Sequence, residues 1–304
     1  MKIARRGFLK TAGSIAVTAG AGWNLSHAAL AEPPSALRAK DPRLFPGCCA
    51  YSYRKYLSKG QMTMASFILE GVKIGTVGVD MTGYWYKSME PAYLAGLRHL
   101  AYENGVPFSG AACGVSMVQP TQEKRARAIQ EIKQWVDATD RLGASHLRVF
   151  AGKLPPGATL KQGIDWVVEV MKAGSDYSAT KGIILGVEDH SGITQSADTC
   201  LEIMHRINSP YARINLDITH FIPTPTQDAY AQIKACIPYA SHTHIRDVFD
   251  DGTPIDMDRV WRMFAEAGYR GFMSVEYEGK EDPMVGVPKL LDKVKALCQK
   301  YSTA

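Results

Sequence analysis

Between residues 183 and 217 the sequence reads IILGVEDHSGITQSADTCLEIMHRINSPYARINLD. The first part, Ile183–Glu188, is a short apolar run of the length expected for a buried strand. In Ser196–Ile207 apolar residues recur at three- and four-residue steps, which predicts an amphipathic helix. A second apolar run, Arg213–Asp217, follows. The stretch therefore predicts a strand–helix–strand unit with parallel strands.

The same alternation extends in both directions from about Pro42 to the end of the chain. Eight strand–helix units over roughly 260 residues predict an α/β fold, the (β/α)8 TIM barrel. A doubly wound open sheet is the alternative, but the sequence has no GxGxxG after the first strand and no GxxxxGK[ST]. Neither a dinucleotide site nor a phosphate loop is therefore indicated. The predicted strands are Gly47–Tyr53, Val77–Thr82, Pro107–Ala112, His146–Phe150, Ile183–Glu188, Arg213–Asp217, Ser241–Ile245 and Phe272–Glu276, and the last predicted helix is Pro288–Tyr301.

The composition is that of a globular protein with a substantial core, 46% hydrophobic and 21% charged. The formal net charge is +5, but the first 31 residues hold four basic residues and no acid, which leaves +1 for the rest. A near-neutral remainder argues against nucleic-acid binding. The six cysteines form no CxxC pair, which argues against a zinc finger or a disulfide framework.

Residues 1–31 have the layout of an export signal: a basic start, a Gly- and Ala-rich middle and a small-x-small site at Ala29-Leu30-Ala31. The RRGFLK sequence at residues 5–10 resembles a twin-arginine motif. An ordinary amphipathic helix is the alternative. We expect transport by the twin-arginine translocase, cleavage before Glu32, a periplasmic or otherwise exported protein, and one barrel domain over residues 32–304. Because residues 1–47 contain no cysteine, we expect no stable membrane anchor.

Four residues of types that bind metal ions fall at the ends of the last four predicted strands. Glu188, Asp217, His244 and Glu276 are separated by 29, 27 and 32 residues, one strand–helix unit each. In a barrel they meet at the C-terminal rim, where such folds keep their active sites. Three carboxylates converging there repel one another without a cation. The pattern predicts one divalent ion, Mn²⁺ first, with Mg²⁺, Co²⁺ or Zn²⁺ as alternatives. Isolated rim charges in salt bridges or helix caps are the other interpretation.

Further polar and aromatic residues fall near the same rim. His190, His220 and Arg246 lie two or three residues from the predicted ligands, and we expect them to bind substrate or support the ligands. The neighbouring histidine at position 242 is expected to be structural. Trp85, after the second strand, and Arg148, on the fourth, are candidates to stack on a sugar ring and to bind its polar groups. Core or rim packing is the alternative for the aromatic residue.

These motifs resemble those of the xylose isomerase-like superfamily of (β/α)8 barrels, often called sugar phosphate isomerases and epimerases. The family's Glu–Asp–His–Glu metal set corresponds to the four residues above, and its Asp-x-x-His pattern corresponds to Asp217 and His220. The resemblance implies that Glu188 and Glu276 act as acid and base on opposite sides of the metal. One departure is Asp250, because ketose 3-epimerases have an arginine six residues after the metal histidine.

The resemblance implies a metal-dependent isomerase or epimerase that forms an enediolate from a carbohydrate substrate. Since the sequence has no Gly-rich phosphate cradle, we expect a non-phosphorylated keto-sugar or related polyol. The same intermediate can expel a leaving group, so a lyase or dehydratase acting on a 3-keto-glycoside or inosose is the alternative. A non-catalytic, exported sugar-binding barrel is the second alternative.

Overall fold

The computed structural model of the protein describes residues 41–303, so the predicted export signal lies outside the described residues. Within that range eight parallel strands pair in chain order, and the last strand closes on the first. This closed parallel barrel confirms the (β/α)8 prediction. The strands are β1 (Arg43–Cys49), β2 (Gly78–Thr82), β3 (Phe108–Ser116), β4 (His146–Phe150), β5 (Ile184–Glu188), β6 (Ala212–Asp217), β7 (Ala240–Ile245) and β8 (Arg270–Val275).

Helices follow the strands and pack around the outside of the barrel, as in other folds of this class. Across residues 41–303 none of them has the length and apolar character needed to cross a membrane. They are α1 (Arg54–Leu57), α2 (Met64–Ile74), α3 (Pro91–Glu103), α4 (Gln122–Leu142), α5 (Leu160–Ala179), α6 (Ala197–Ile207), α7 (Ala229–Cys236), α8 (Met257–Glu266) and α9 (Pro283–Tyr301).

Local sequence signals set the ends of several helices. The hydroxyl of Thr159 accepts the backbone N–H of Gln162, and the Gln162 side chain accepts the backbone N–H of Thr159, a capping box that starts α5. At the end of α4, Gly143 adopts the left-handed conformation that closes the helix. The last helix begins at Pro283, five residues before the predicted start, because Asp282 caps it by accepting the N–H of Met284.

The first predicted strand is misplaced. The sequence predicts Gly47–Tyr53, whereas the strand covers Arg43–Cys49 and residues Ala50–Tyr53 form a 3-10 helix. The strand starts earlier because it pairs with β8 from its first residue. The chain turns after it because the Ser52 hydroxyl donates to the Val275 carbonyl, 3.0 Å away. An apolar run by itself does not distinguish a strand from a short helical turn.

A polar layer fills part of the barrel interior. The rings of His146 and His242 stack with centroids 5.1 Å apart, and both side chains are buried. Burial lowers the pKa of His146 well below its usual value and that of His242 to about 4, so both rings are neutral. Gly186 on β5 makes room for His146, since a Cβ there would overlap the imidazole ring.

We predict that Gly186→Ala destabilises the barrel by about 1–3 kcal/mol, the usual cost of overpacking a filled interior. The matched control is Gly96→Ala on the exposed side of α3, where a Cβ meets nothing within 4 Å. Alanine favours a helix over glycine, so the control should gain about 0.5–1 kcal/mol. Urea unfolding measures both changes. Equal stability of Gly186→Ala and the wild type would contradict the packing described here.

Candidate metal centre and active site

The four predicted ligands come together at the C-terminal end of the barrel. Glu188 and Asp217 are the last residues of β5 and β6, His244 is the penultimate residue of β7, and Glu276 directly follows β8. All four side chains are buried, and one ligand atom from each lies within 4.8 Å of the others. The strand order therefore brings residues up to 88 positions apart into one cluster that could hold a metal ion.

The imidazole of His244 links this cluster to the barrel interior. Its Nε2 lies 2.9 Å from Asp80 Oδ2, and its Nδ1 lies 2.7 Å from Glu188 Oε1 and 3.4 Å from Glu276 Oε2. An imidazolium donates both N–H groups to these carboxylates. When Nδ1 is deprotonated, its lone pair and the oxygens of Glu188 and Glu276 face one another and require a cation. The Asp80 carboxylate then orients the ring, as carboxylates commonly do for metal-binding histidines.

The two glutamates differ in their affinity for a proton. Burial opposes ionisation of Glu188, but Arg148 and His244 outweigh it and lower its pKa to about 2. Burial raises the pKa of Glu276 to about 7, and the neighbouring charges of Glu188 and Asp217 add to the effect. A positive charge in the cluster would favour the ionised form of Glu276. Two carboxyl groups with such different environments are typical of acid–base pairs.

Asp217 is held by donors on both oxygens. Its Oδ1 accepts the backbone N–H of Thr219 at 2.9 Å and the Thr219 hydroxyl at 2.5 Å. Its Oδ2 lies 3.2 Å from Arg246 Nη2 and 3.3 Å from His220 Nε2. Burial opposes ionisation, yet these two side chains hold the pKa of Asp217 below its usual range. The carboxyl group of Asp217 is therefore ionised, at the bottom of the site.

Arg246 and His220 also contact the carboxylate of Asp250, the residue that departs from the family pattern. The Nδ1 of His220 lies 2.8 Å from Asp250 Oδ2, and Arg246 Nη1 lies 3.3 Å from Asp250 Oδ1. A third carboxylate, Glu278, is 3.0 Å from the same arginine. Burial would lower the pKa of His220, but Asp217 and Asp250 raise it to about 9. The Asp250 side chain thus holds two residues predicted to contact substrate.

The remaining predicted residues occupy two further positions at the rim. Arg148 is buried beside Glu188, with Nε 3.5 Å from its Oε2. His190 packs edge-on against His220, with ring centroids 4.6 Å apart. Trp85 lies in the 3-10 turn after β2, beside other aromatic rings rather than against the carboxylate cluster.

Sequence reasoning missed three residues that support the ligands. Asp80 is a single charge within the apolar strand β2, and a charge in a buried strand indicates a specific partner. Asn215 shares the inward face of β6 with Asp217, and its amide lies 3.3 Å from Glu188 Oε1. Asp189 accepts the backbone N–H of Asp217 at 2.7 Å. Because side chains two residues apart on a strand share a face, the place of Asn215 can be inferred from that of Asp217. The contacts of Asp80 and Asp189 cannot be inferred in this way, since they depend on which strands come together in the barrel.

The comparison with protein families agrees with this architecture. The model of the xylose isomerase-like TIM barrel family matches residues 70–297, about three quarters of the chain. The chain therefore belongs to the xylose isomerase-like TIM barrel family, and the family part of the sequence resemblance is confirmed.

Individual relatives are distant. A Mus musculus protein named "Putative hydroxypyruvate isomerase" is 22% identical over 180 residues, which cover 54% of this chain and 65% of the mouse protein. A D-allulose 3-epimerase from Methylomonas sp., in complex with D-allulose, superposes with a TM-score of 0.64 at 18% identity and covers 87% of this chain and 96% of its own. The IOLI protein with a bound zinc atom has a TM-score of 0.68 at 16% identity, covering 86% and 100%. At this identity the structures establish a shared fold.

We predict that Asp80→Asn weakens divalent-metal binding about 10- to 100-fold, the usual effect of losing the carboxylate that orients a metal-binding histidine. The matched control is Asp198→Asn on the exposed side of α6, which should bind metal like the wild type. Competition with a fluorescent chelator measures the dissociation constants. Unchanged affinity in Asp80→Asn would contradict the role assigned to Asp80.

Proposed function

We propose that the protein is a divalent-metal-dependent isomerase or epimerase that acts through an enediolate on a non-phosphorylated keto-sugar or related polyol. The observation that carries the proposal is the pairing of Glu188 and Glu276. Strands β6 and β7 separate their strands in the barrel, yet both carboxylates reach the Nδ1 atom of His244. Inversion at one carbon needs one group to remove the proton and a second to return it, and these two carboxyl groups border the same site.

The proposed metal site consists of Glu188, Asp217, His244 and Glu276. Three carboxylates and one imidazole form a donor set that suits Mn²⁺, the ion we propose. The same set also suits Mg²⁺, Co²⁺ or Zn²⁺. When bound, the ion supplies a Lewis acid that polarises a substrate carbonyl and acidifies the neighbouring C–H bond. The buried charges that would otherwise repel one another support this proposal.

The chain's own carboxylates then move the proton. One glutamate removes it from the carbon next to the carbonyl, and the other returns a proton from its own side. Return to the same carbon gives epimerisation, and return to the neighbouring carbon gives isomerisation. Arg148 keeps Glu188 ionised and fixed, while the Asn215 amide donates to the same carboxylate.

The electrostatics of the site favour an uncharged substrate. The two buried arginines at the rim are already paired: Arg148 with Glu188, and Arg246 with Asp217, Asp250 and Glu278. A carboxylate at position 250 accepts hydrogen bonds from hydroxyl groups and repels phosphate. A neutral polyhydroxylated compound fits this surface. His190, His220, Arg246, Trp85 and Arg148 are our candidates for contacting it.

A lyase or dehydratase acting on a 3-keto-glycoside or inosose is the second candidate. The observation that favours it is the His220–Asp250 pair, in which Asp250 holds Nδ1 and leaves Nε2 directed toward Asp217. These contacts place the imidazole beside the proposed metal site, and a histidine there is a candidate to protonate a departing hydroxyl or alkoxide. Two buried glutamates that face one site and differ in proton affinity argue against a sugar-binding barrel without catalysis. We also propose that residues 1–31 direct twin-arginine export and that residues 32–304 form one domain.

The test follows exchange of carbon-bound hydrogen in D₂O by NMR, with Mn²⁺ and a panel of ketoses, inososes and 3-keto-glycosides. The wild type should exchange or convert at least one of them. Glu188→Gln and Glu276→Gln should each lower turnover about 10²- to 10⁴-fold, because each removes one partner in proton transfer.

Glu131→Gln, which changes an exposed glutamate on α4, is the matched control and should keep full turnover. A wild type that exchanges no hydrogen in any compound of the panel would refute the enzyme proposal. Near-normal turnover in both glutamine variants would refute the two-carboxylate mechanism.

A further inference from the structure

A buried thiol lies beside the proposed metal site, and the proposed function does not use it. Cys49 is the last residue of β1, and its side chain is fully buried. It lies beside Asp80 in the register between β1 and β2, so the two side chains share a face of the sheet. Since Asp80 contacts His244, this face is the barrel interior. The thiol therefore reaches the site from β1, on the side of the barrel opposite β5.

The sulfur of Cys49 contacts one of the proposed metal ligands. Its thiol donates to Glu276 Oε1 at 3.6 Å, and the Thr82 hydroxyl oxygen lies 3.6 Å from the same sulfur. One donor atom each from Cys49, His244 and Glu276 lie within 4.8 Å of one another. Burial raises the pKa of Cys49 to about 12, so the group is a thiol unless an ion that binds sulfur replaces its proton. We call Cys49, His244 and Glu276 the thiol set.

The spacing of these atoms suits the ligands of a tetrahedral ion. Metal bonds of about 2.3 Å to sulfur and about 2.0 Å to oxygen place those two ligands about 3.5 Å apart, and nitrogen and oxygen ligands about 3.3 Å apart. The sulfur of Cys49 is 3.6 Å from Glu276 Oε1, and His244 Nδ1 is 3.4 Å from Glu276 Oε2. The Glu276 carboxylate therefore faces the thiol with one oxygen and the imidazole with the other. Sulfur, nitrogen and oxygen are the donor atoms of protein zinc sites.

We infer that a thiophilic divalent cation such as Zn²⁺ or Cd²⁺ binds to the thiol set and displaces the ion of the proposed active site. The displacement rests on the proposed function, in which the catalytic ion is held by Glu188, Asp217, His244 and Glu276, here called the carboxylate set. The two sets share His244 and Glu276, so an ion in one set deprives the other of two ligands. Two divalent ions so close together also repel each other. Sulfur selects the thiophilic ion, whereas the oxygens of the carboxylate set suit Mn²⁺ or Mg²⁺.

Binding exchanges the thiol proton of Cys49 for the cation. The S–H bond breaks, its electron pair forms the bond from sulfur to the metal, and the proton passes to solvent, so neither sulfur nor metal changes its oxidation state. Loss of the proton also frees Glu276 Oε1, which accepts from the thiol in the metal-free site. The Thr82 hydroxyl is placed to donate to the sulfur and so to stabilise the thiolate. Mn²⁺ has little affinity for sulfur, so an ion in the carboxylate set leaves the thiol protonated.

The test adds Cd²⁺ to the Mn²⁺-loaded protein and records two signals. Ultraviolet absorption detects charge transfer from thiolate to cadmium, and electron paramagnetic resonance detects free Mn²⁺. In the wild type the absorption and the release of Mn²⁺ should rise together. Cys49→Ser should bind Mn²⁺ like the wild type, show no absorption and need at least about tenfold more Cd²⁺ to release Mn²⁺, because a hydroxyl is a poor ligand for a soft ion. Asp217→Asn should do the reverse, losing affinity for Mn²⁺ and keeping the absorption.

Cys298→Ser is the matched control, since Cys298 is a buried cysteine on the outer helix α9, where its sulfur accepts from Trp261 Nε1 at 3.5 Å. It should behave like the wild type in both signals. Cys49→Ala should behave like Cys49→Ser, which shows that the effect comes from the lost sulfur and not from the new hydroxyl. Circular dichroism checks that each variant is folded.

The inference is wrong if Cd²⁺ produces no charge-transfer absorption in the wild type, if the absorption persists in both folded Cys49 variants, or if it appears without release of Mn²⁺. A wild type that holds Mn²⁺ but shows no absorption that depends on Cys49 would reject the thiol set and keep the proposed metal site. Absorption that depends on Cys49, in a protein that binds no Mn²⁺, would reject the proposed manganese site and the displacement but keep the thiol set.

Discussion

The structure of the site depends on one constraint: the negative charges of its buried carboxylates must be balanced. Glu188, Asp217 and Glu276 lie in the low-dielectric rim of the barrel, where an unpaired charge costs several kcal/mol. The chain partly balances them with Arg148, Arg246 and the imidazole of His244. Negative charge is still in excess where the carboxylates of Glu188 and Glu276 face the Nδ1 atom of His244. A divalent cation at that point would balance the charge, and it would supply the Lewis acid of the proposed chemistry on a carbonyl compound.

The two halves of the barrel contribute different residues to the site. Strands β5 to β8 provide the proposed metal ligands, one from each strand end. Strand β4 provides Arg148, and the turns after β1 and β2 provide the aromatic residues Tyr51, Tyr84 and Trp85. The interior polar layer below the site, with Asp80 and the neutral rings of His146 and His242, supports His244 from the barrel axis.

The sequence predicted the barrel and the four clustered side chains because both depend on a regular repeat. Each ligand ends an apolar strand, and one strand–helix unit separates it from the next, so the closed barrel brings them to one rim. The 3-10 turn at Ala50–Tyr53 was not predicted, since it depends on the bond from Ser52 to Val275 at the other end of the chain. Asp80 was missed for the same reason: its partner, His244, is 164 residues away. Contacts across the barrel axis have no local signature in the sequence.

The central claim is that Glu188, Asp217, His244 and Glu276 together hold one divalent ion. The most direct test is elemental analysis of the purified protein after equilibration with Mn²⁺ and removal of the free ion. The wild type should retain one equivalent per chain, and the Asp217→Ala/His244→Ala double variant, once shown to be folded by circular dichroism, should retain almost none. One equivalent retained by the folded double variant, or none by the wild type, would contradict the claim.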